Sequence, residues 1–235
     1  TTSKSCDRRL RDTKMKVAII TFPGTNCEQD TAYAFNLLEV KTKIYWHTET
    51  DIKADLIVLP GGFSHGDYLR TGAIAKFSPV MNAVIKHAKQ GGLTLGICNG
   101  FQMLLELGLL PGAMLRNSSM SFISKITNIK VISNNNIFLS QTKNNEILRI
   151  PVAHGEGNYF ADKNTLKALN DNEQIILKYC DEKGVLTDLN GSEQNIAGIC
   201  DKNKRIFGLM PHPERACENI LGSNDGLKML KGFLC

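Results

Sequence analysis

Cys98 stands in the run GGLTLGICNGFQMLLELG, residues 91–108, between Gly96 and Gly100. An apolar stretch over 93–97 leads into it and an amphipathic stretch follows at once. A small–x–nucleophile–x–small turn between strand and helix forms a nucleophile elbow. Its glycines allow a strained turn and let the two backbones approach closely. The thiol would then sit at the positive end of a helix, which favours its reactive thiolate. The same residues also fit a small buried cysteine at a strand end, because free cysteine is among the most buried residue types. The motif alone leaves both readings open.

A nucleophilic thiol needs a base in reach and a group to orient that base. Of His47, His65, His87, His154 and His212, the last has the most unusual setting, in GLMPHPER. Pro211 and Pro213 bracket it and favour extended backbone. Extension would put His212 and Glu214 on one side, since side chains repeat every second residue. The carboxylate could then accept one ring N–H and leave the other nitrogen to the thiol. An incidental histidine in a proline-rich turn is the competing reading. An acyl-transfer intermediate also needs two backbone N–H donors for its oxyanion. Asn99, just after Cys98, offers one, and Gly62 or Phe63 in LPGGFSHGDYLR (59–70) the other. That glycine pair is not a phosphate loop, as neither G-x-G-x-x-G nor G-K-[ST] occurs.

These pieces have to be held by regular elements. Short apolar runs over 16–22, 42–47, 54–60 and 93–98 alternate with helical patterns over 28–40, 82–92 and 101–108. That alternation predicts a parallel sheet covered on both faces, an α/β fold. In such sheets ligands bind beyond the carboxyl ends of the strands, where PGGFSHGD, GICNG and MPHPE fall. Later runs over 121–133, 146–157, 172–181, 195–201 and 205–214 read as strands with no long helix between them. Mixed or antiparallel strands are therefore expected beside the parallel core. SNNNIF and TKNNE read as exposed hairpin turns, and 224–234 as a closing helix.

Bulk properties narrow the class. The chain has 235 residues, 42% of them hydrophobic, enough for one large core. Residues 15–235 are expected to form a single domain. The net charge of +5 is concentrated at one end: five basic and two acidic residues fall within 1–14, leaving +2 elsewhere. A nucleic-acid stripe would need far more. Residues 1–14 read as a flexible basic extension, a cloning remnant or a mis-set start, without the apolar core of a secretory signal. Seven irregularly spaced cysteines with no C-x-x-C pair argue against a disulfide framework or a thiolate zinc site. No apolar run reaches the ~18 residues of a membrane span. The chain is thus expected in the cytoplasm, with no membrane or nucleic-acid partner. Cys27, in GTNCEQD, is read as a packing or turn residue.

Taken together, GICNGFQ, the downstream HPE and the upstream LPGG resemble the triad-type (class I) glutamine amidotransferases, whose elbow reads G-x-C-x-G-x-Q. FPGTNCEQD, LPGGFSHGDYLRTGAIA, GICNGFQML, AHGEGNY and MPHPER, in that order, more narrowly resemble the glutaminase subunits of phosphoribosylformylglycinamidine synthases. The resemblance implies a flavodoxin-like open sheet. It assigns Cys98 as nucleophile, His212 as base and acid, and Glu214 as the orienting carboxylate. Gln102 matches a residue contacting glutamine, Gly62 and Asn99 the oxyanion donors, and His154, Gly155, Glu156 and Gly157 a loop lining the pocket. It also implies L-glutamine as substrate, and a large synthetase subunit and a small accessory subunit as partners. The chain itself would use no cofactor or metal, with ATP and Mg used by the synthetase. Thr71 departs from the cysteine expected in many relatives, and residues 1–14 have no counterpart. A cysteine peptidase with the same elbow is the rival enzyme, against which HPE and Gln102 argue. A non-catalytic subunit is the rival of another class, against which the intact Cys98, His212 and Glu214 argue.

Overall fold

In the computed structural model the described residues are 15–234. The basic extension expected over 1–14 lies outside them. Nine strands form one sheet in the order β2-β1-β3-β4-β11-β10-β9-β6-β7. Its first five members are β2 (Lys41–Trp46), β1 (Lys16–Thr21), β3 (Leu56–Leu59), β4 (Leu93–Ile97) and β11 (Ile206–Leu209). All of these pair in parallel. Every residue of β3, β4 and β11 is buried, which is why they read as unbroken apolar runs instead of alternating ones. Beyond β11 the sheet turns antiparallel through β10 (Ile196–Cys200), β9 (Ile175–Cys180), β6 (Ile123–Val131) and β7 (Ile147–His154). The expected division into a parallel first half and an antiparallel second half holds, except that β11 crosses back to pair with β4.

The helices α1 (Glu28–Leu37) and α2 (Val80–Lys89) each bury one face, whereas α3 (Asn99–Glu106) is buried along its length up to Leu105. The closing helix α5 (Asp225–Leu230) is shorter than the pattern predicts, its last turn tightening to a 3-10 helix over Lys231–Leu234. Two features were not anticipated. A small second sheet pairs β5 (Ala113–Leu115) with β8 (Asn158–Phe160). A helix, α4 (Lys163–Asp171), lies between β8 and β9. It starts because the Asp162 side chain accepts from the amides of Asn164 and Thr165. It hides Leu166 and Leu169 alone, too thin an apolar stripe to show in the sequence. Among the described residues, no helix is long and apolar enough to cross a membrane.

Of the two exposed turns expected between β6 and β7, TKNNE forms one, with residues 143–145 exposed and the Glu146 amide donating to the Lys143 carbonyl at 3.0 Å, whereas SNNNIF does not stay at the surface. Its Phe138 is fully buried. The ring packs 5.2 Å from Phe233 and 5.6 Å from Phe207, between centroids, and so ties the link and the chain end to β11. Emptying such a site costs roughly 3–5 kcal/mol. We expect Phe138→Ala to lower the unfolding free energy by that much, read in urea as a lower midpoint at unchanged slope. A shift no larger than that of a surface substitution would show that the link does not hold the core.

Candidate active site

Three neighbouring strands bring the chemistry together. β3, β4 and β11 end side by side, and each is followed by one part of the centre: Gly61–Gly62, Cys98 and His212. Cys98 has φ 49° and ψ −105°, a conformation that costs a side-chain-bearing residue about 1–3 kcal/mol. Two contacts hold it there. Its amide donates to the Leu209 carbonyl at 2.8 Å. The first turn of α3 lies on the end of β3 so closely that a Cβ on Gly100 would fall 1.8 Å from the Leu59 oxygen. The thiol is thereby set at the N-terminus of α3, 3.6 Å from the Ala153 carbonyl.

His212 and Glu214 meet, though not by the extension that the prolines predict. Pro213–Arg215 form a single 3-10 turn, which folds the carboxylate back under the ring. Nδ1 donates to Glu214 Oε1 at 2.6 Å, with both side chains buried. Nε2 has no partner of its own among the described residues, and Cys98 lies within interaction range of the ring. Nε2 is thus the nitrogen left for the thiol. Burial by itself would lower the His212 pKa. The Glu214 carboxylate, with Cys98 and Cys27 beside the ring, outweighs burial and holds it well above the ordinary histidine value. The ring fits because residue 61 is glycine: a Cβ there would stand 2.6 Å from His212 Cε1.

The two amides expected opposite Asn99, those of Gly62 and Phe63, differ in their bonding. Phe63 N–H is already engaged, donating to the Gly24 carbonyl at 3.0 Å. Its ring instead lines the cavities described below. No bond from Gly62 N–H or Asn99 N–H to a loop carbonyl is seen among the described residues, which leaves both amides open to a ligand. The Asn99 side chain fixes their spacing, its Oδ1 accepting from the Ser64 amide at 3.1 Å.

The 154–157 loop comes to the centre from the other side of the sheet, through the His212 amide donating to Pro151 at 2.8 Å. Gln102 links it to the elbow, accepting from Asn99 Nδ2 at 2.9 Å and donating to the Glu156 carbonyl at 2.6 Å. Asn117 braces it from beneath. Asn117 Nδ2 donates to the carbonyls of Ser121 and His154, so its Oδ1 must accept from Gly157 N and His154 Nδ1. His154 therefore carries its proton on Nδ1. Burial, reinforced by the charge on His212, pushes its pKa down to about 4.

Several site residues escaped sequence reasoning. The Cys27 thiol lies 4.0 Å from His212 Nδ1 and accepts from Arg215 Nη2 at 3.1 Å, while Arg215 Nε holds Asp30. Cys27 is thus part of the wall behind the histidine. The donor atoms of Cys27, His212 and Glu214 lie within 4.8 Å of one another. They are engaged in the His–Glu and Arg–Cys bonds, and the Arg215 cation opposes a second positive charge there. Asp67 is half-buried, and burial, with the nearby Glu156, pushes its pKa up to about 6. Thr71, the departure from the family pattern, donates to Glu156 Oε2 at 2.8 Å. Two cavities meet at the Phe63–Phe122 ring pair. One of about 230 Å³ faces Cys27, Gly62 and His212, and one of about 310 Å³ faces Asp67, Arg116 and Glu156.

The sequence profile of the CobB/CobQ-like glutamine amidotransferase domain matches residues 14–226. The PurQ subunit of phosphoribosylformylglycinamidine synthase from Campylobacter jejuni is 64% identical over 94% of this chain and 96% of its own. The chain belongs to the PurQ family of glutamine amidotransferases. Another PurQ relative, from Wolinella succinogenes, is 54% identical over 94% of this chain and all of its own. The structure of PurLQS from Thermotoga maritima superposes with a TM-score of 0.85 at 38% identity, covering 94% of this chain and 98% of that one. A putative GMP synthase subunit from Thermoplasma acidophilum, 17% identical with a TM-score of 0.64 over 94% of this chain and 93% of its own, shares the fold. Family membership agrees with the sheet order and with the three strand ends that carry the PurQ motifs.

The neutral His154 has a measurable consequence. Between about pH 6.5 and about pH 4 an unfolded histidine takes up a proton that the buried ring refuses. Stability contributed above pH 6.5 is therefore lost as pH falls through that window. His154→Gln, which keeps a donor for Asn117, should remove up to ~3 kcal/mol of that acid-side fall in urea unfolding across pH. Parallel curves for the two proteins would mean that native His154 is not held neutral.

Proposed function

We propose that this chain is the glutaminase subunit of a phosphoribosylformylglycinamidine synthase in purine biosynthesis, hydrolysing L-glutamine to glutamate and ammonia. The observation that carries the chemistry is the juxtaposition at the strand ends. A thiol is held at a helix N-terminus by a strained elbow, beside a buried imidazole whose other nitrogen is fixed by a carboxylate. The Cys98 sulfur attacks the side-chain amide carbon, and the Gly62 and Asn99 amides receive the oxyanion. His212 passes a proton to the departing nitrogen, so that ammonia leaves and a γ-glutamyl thioester remains. His212 then takes a proton from water, which attacks the thioester and frees glutamate. Glu214 keeps the ring oriented and stabilises its positive charge through both halves. Gln102 and Asn117 position the 154–157 loop around the substrate.

The partners follow from the relatives. Each PurQ relative is named as a subunit of the synthase, and the superposable structure is that of PurLQS. These support delivery of the ammonia to a large synthetase chain. That chain would use ATP and Mg to convert formylglycinamide ribonucleotide to the amidine, with a small accessory subunit completing the complex. The five cysteines among the described residues are free thiols, in keeping with a cytoplasmic setting.

In the complex, Cys98→Ala should abolish glutamine-driven synthesis and leave ammonium-driven synthesis intact, measured as product formed with each nitrogen source. Loss of both together would overturn the division of labour. Glu214→Gln keeps the shape but removes the charge holding His212 protonated. We expect kcat for glutamine to fall about 10²-fold or more, the scale of general acid–base catalysis. The alkaline limb of its pH profile should also move to lower pH.

A further inference from the structure

Behind His212 a buried carboxylate oxygen and a guanidinium stand close together without pairing. Glu214 Oε1 accepts from His212 Nδ1, but Oε2 is buried with no partner among the described residues. Arg215 follows on the same 3-10 turn, with Glu214 in its electrostatic range. Arginine commonly closes on a carboxylate with two parallel N–H bonds. Here it turns away. Arg215 Nε donates to Asp30 Oδ2 and Nη2 to Cys27 Sγ, each at 3.1 Å. Cys27 is itself fixed in place. Its amide donates to the Gly61 carbonyl at 3.3 Å, and its carbonyl accepts from the amide and hydroxyl of Thr31 in the first turn of α1. A Cβ on residue 61 would stand 3.1 Å from the sulfur. The thiol donates to Asn26 Oδ1 at 3.1 Å, which leaves the sulfur lone pairs to Arg215. Burial, reinforced by Glu214, outweighs the pull of His212 and Arg215 and holds the Cys27 pKa up.

We propose that Cys27 is a positioning residue for the proton transfer: with Asp30 it occupies the Arg215 fork and keeps the guanidinium off Glu214, so that the carboxylate serves His212 alone. This rests on the reading of the chain as a glutaminase, in which His212 must hold a proton for the departing nitrogen. The charged and titratable groups around the ring are Glu214 and Arg215 from its own turn, Cys27 and Asp30 from the start of α1, Cys98 from the elbow and His154 from β7. Among them Glu214 supplies the bond to Nδ1. A cation closing on its free oxygen would offset the charge that keeps the proton on the ring. A neutral thiol suits the place behind the imidazole. Its sulfur is a weak acceptor, enough to engage one N–H of Arg215, and it fills the gap 4.0 Å from Nδ1 without adding a charge that would rival Glu214.

The test follows the His212 ring across pH by histidine-selective ¹⁵N NMR of the full chain. In Cys27→Ala the guanidinium loses one of its two holds and closes on Glu214. The His212 midpoint should then fall by about one pH unit, the low end of what one nearby charge does. Asp30→Asn removes the other hold. It should lower the midpoint in the same way, and serves where Cys27→Ala fails to fold. Adding Arg215→Met to Cys27→Ala should restore the midpoint, since no guanidinium is left to turn. In the chain assembled with its synthetase, Cys27→Ala should move the alkaline limb of kcat for glutamine to lower pH by the same amount, with KM hardly changed. An unmoved midpoint in both single variants would overturn the proposal. So would a fall that Arg215→Met does not reverse, which would leave Cys27 a purely structural part. A wild-type complex that hydrolyses no glutamine would instead sink the glutaminase reading, while the NMR midpoints would still decide what Cys27 does for His212.

Discussion

The first turn of α3 rests on the carbonyl of Leu59, with no room for even one methyl group between them. That close approach sets the height of the elbow, and the elbow sets where the sulfur stands relative to the two other strand ends. Cys98 cannot relax its backbone without lifting α3 off β3. It also cannot do so without breaking the bond from its amide to Leu209, the last residue of β11 and the lead-in to His212. Strain at Cys98 and the position of His212 are therefore one constraint, borne by a sheet whose central strands are buried on both faces. Against that rigid frame the proton-handling parts need only short reaches: one turn from His212 to Glu214, and one residue from Cys98 to Asn99.

The polar groups around the centre form chains instead of isolated pairs. Asn99, Gln102 and the Glu156 backbone join the elbow to the substrate loop, and Asn117 holds the same loop from below. Each amide side chain has its orientation fixed by a second bond, which removes the freedom that would otherwise blur the cavity walls. The result holds the His154 pKa low and the His212 pKa high within one site. One ring meets a neutral amide and the other a carboxylate.

What the sequence made legible and what it hid differ by range. The strand ends, the elbow and the HPE carboxylate were readable because their signals are local: glycines flanking a cysteine, prolines flanking a histidine, apolar runs cut off by Pro-Gly. The pairing of His212 with Glu214 was read correctly for an incorrect reason, because proline fixes φ but does not decide between extension and a 3-10 turn. That the Phe63 amide is already engaged depends on the Gly24 carbonyl, a partner supplied by a distant loop. Phe138 looked solvated because its asparagine neighbours are, and only its contacts with Phe207 and Phe233 show otherwise. α4 was invisible because two leucines suffice to dock it. Cys27 gave no sign of its place because both its neighbours at the site, His212 and Arg215, come from the far end of the chain.

The crossing of β11 back to β4 also sets an order of events. On a growing chain Cys98 is made long before His212. The two become neighbours only when β11 docks in register, with Ile206 opposite Thr94 and Leu209 opposite Ile97. Until then the slot beside β4 is open, the elbow lacks the Leu209 carbonyl that anchors its amide, and the thiol has no imidazole beside it. The strand of the parallel sheet that comes last in the sequence is thus also the one that brings His212 to Cys98. A chain without β11 in place carries Cys98 with neither the Leu209 anchor nor the His212 ring beside it.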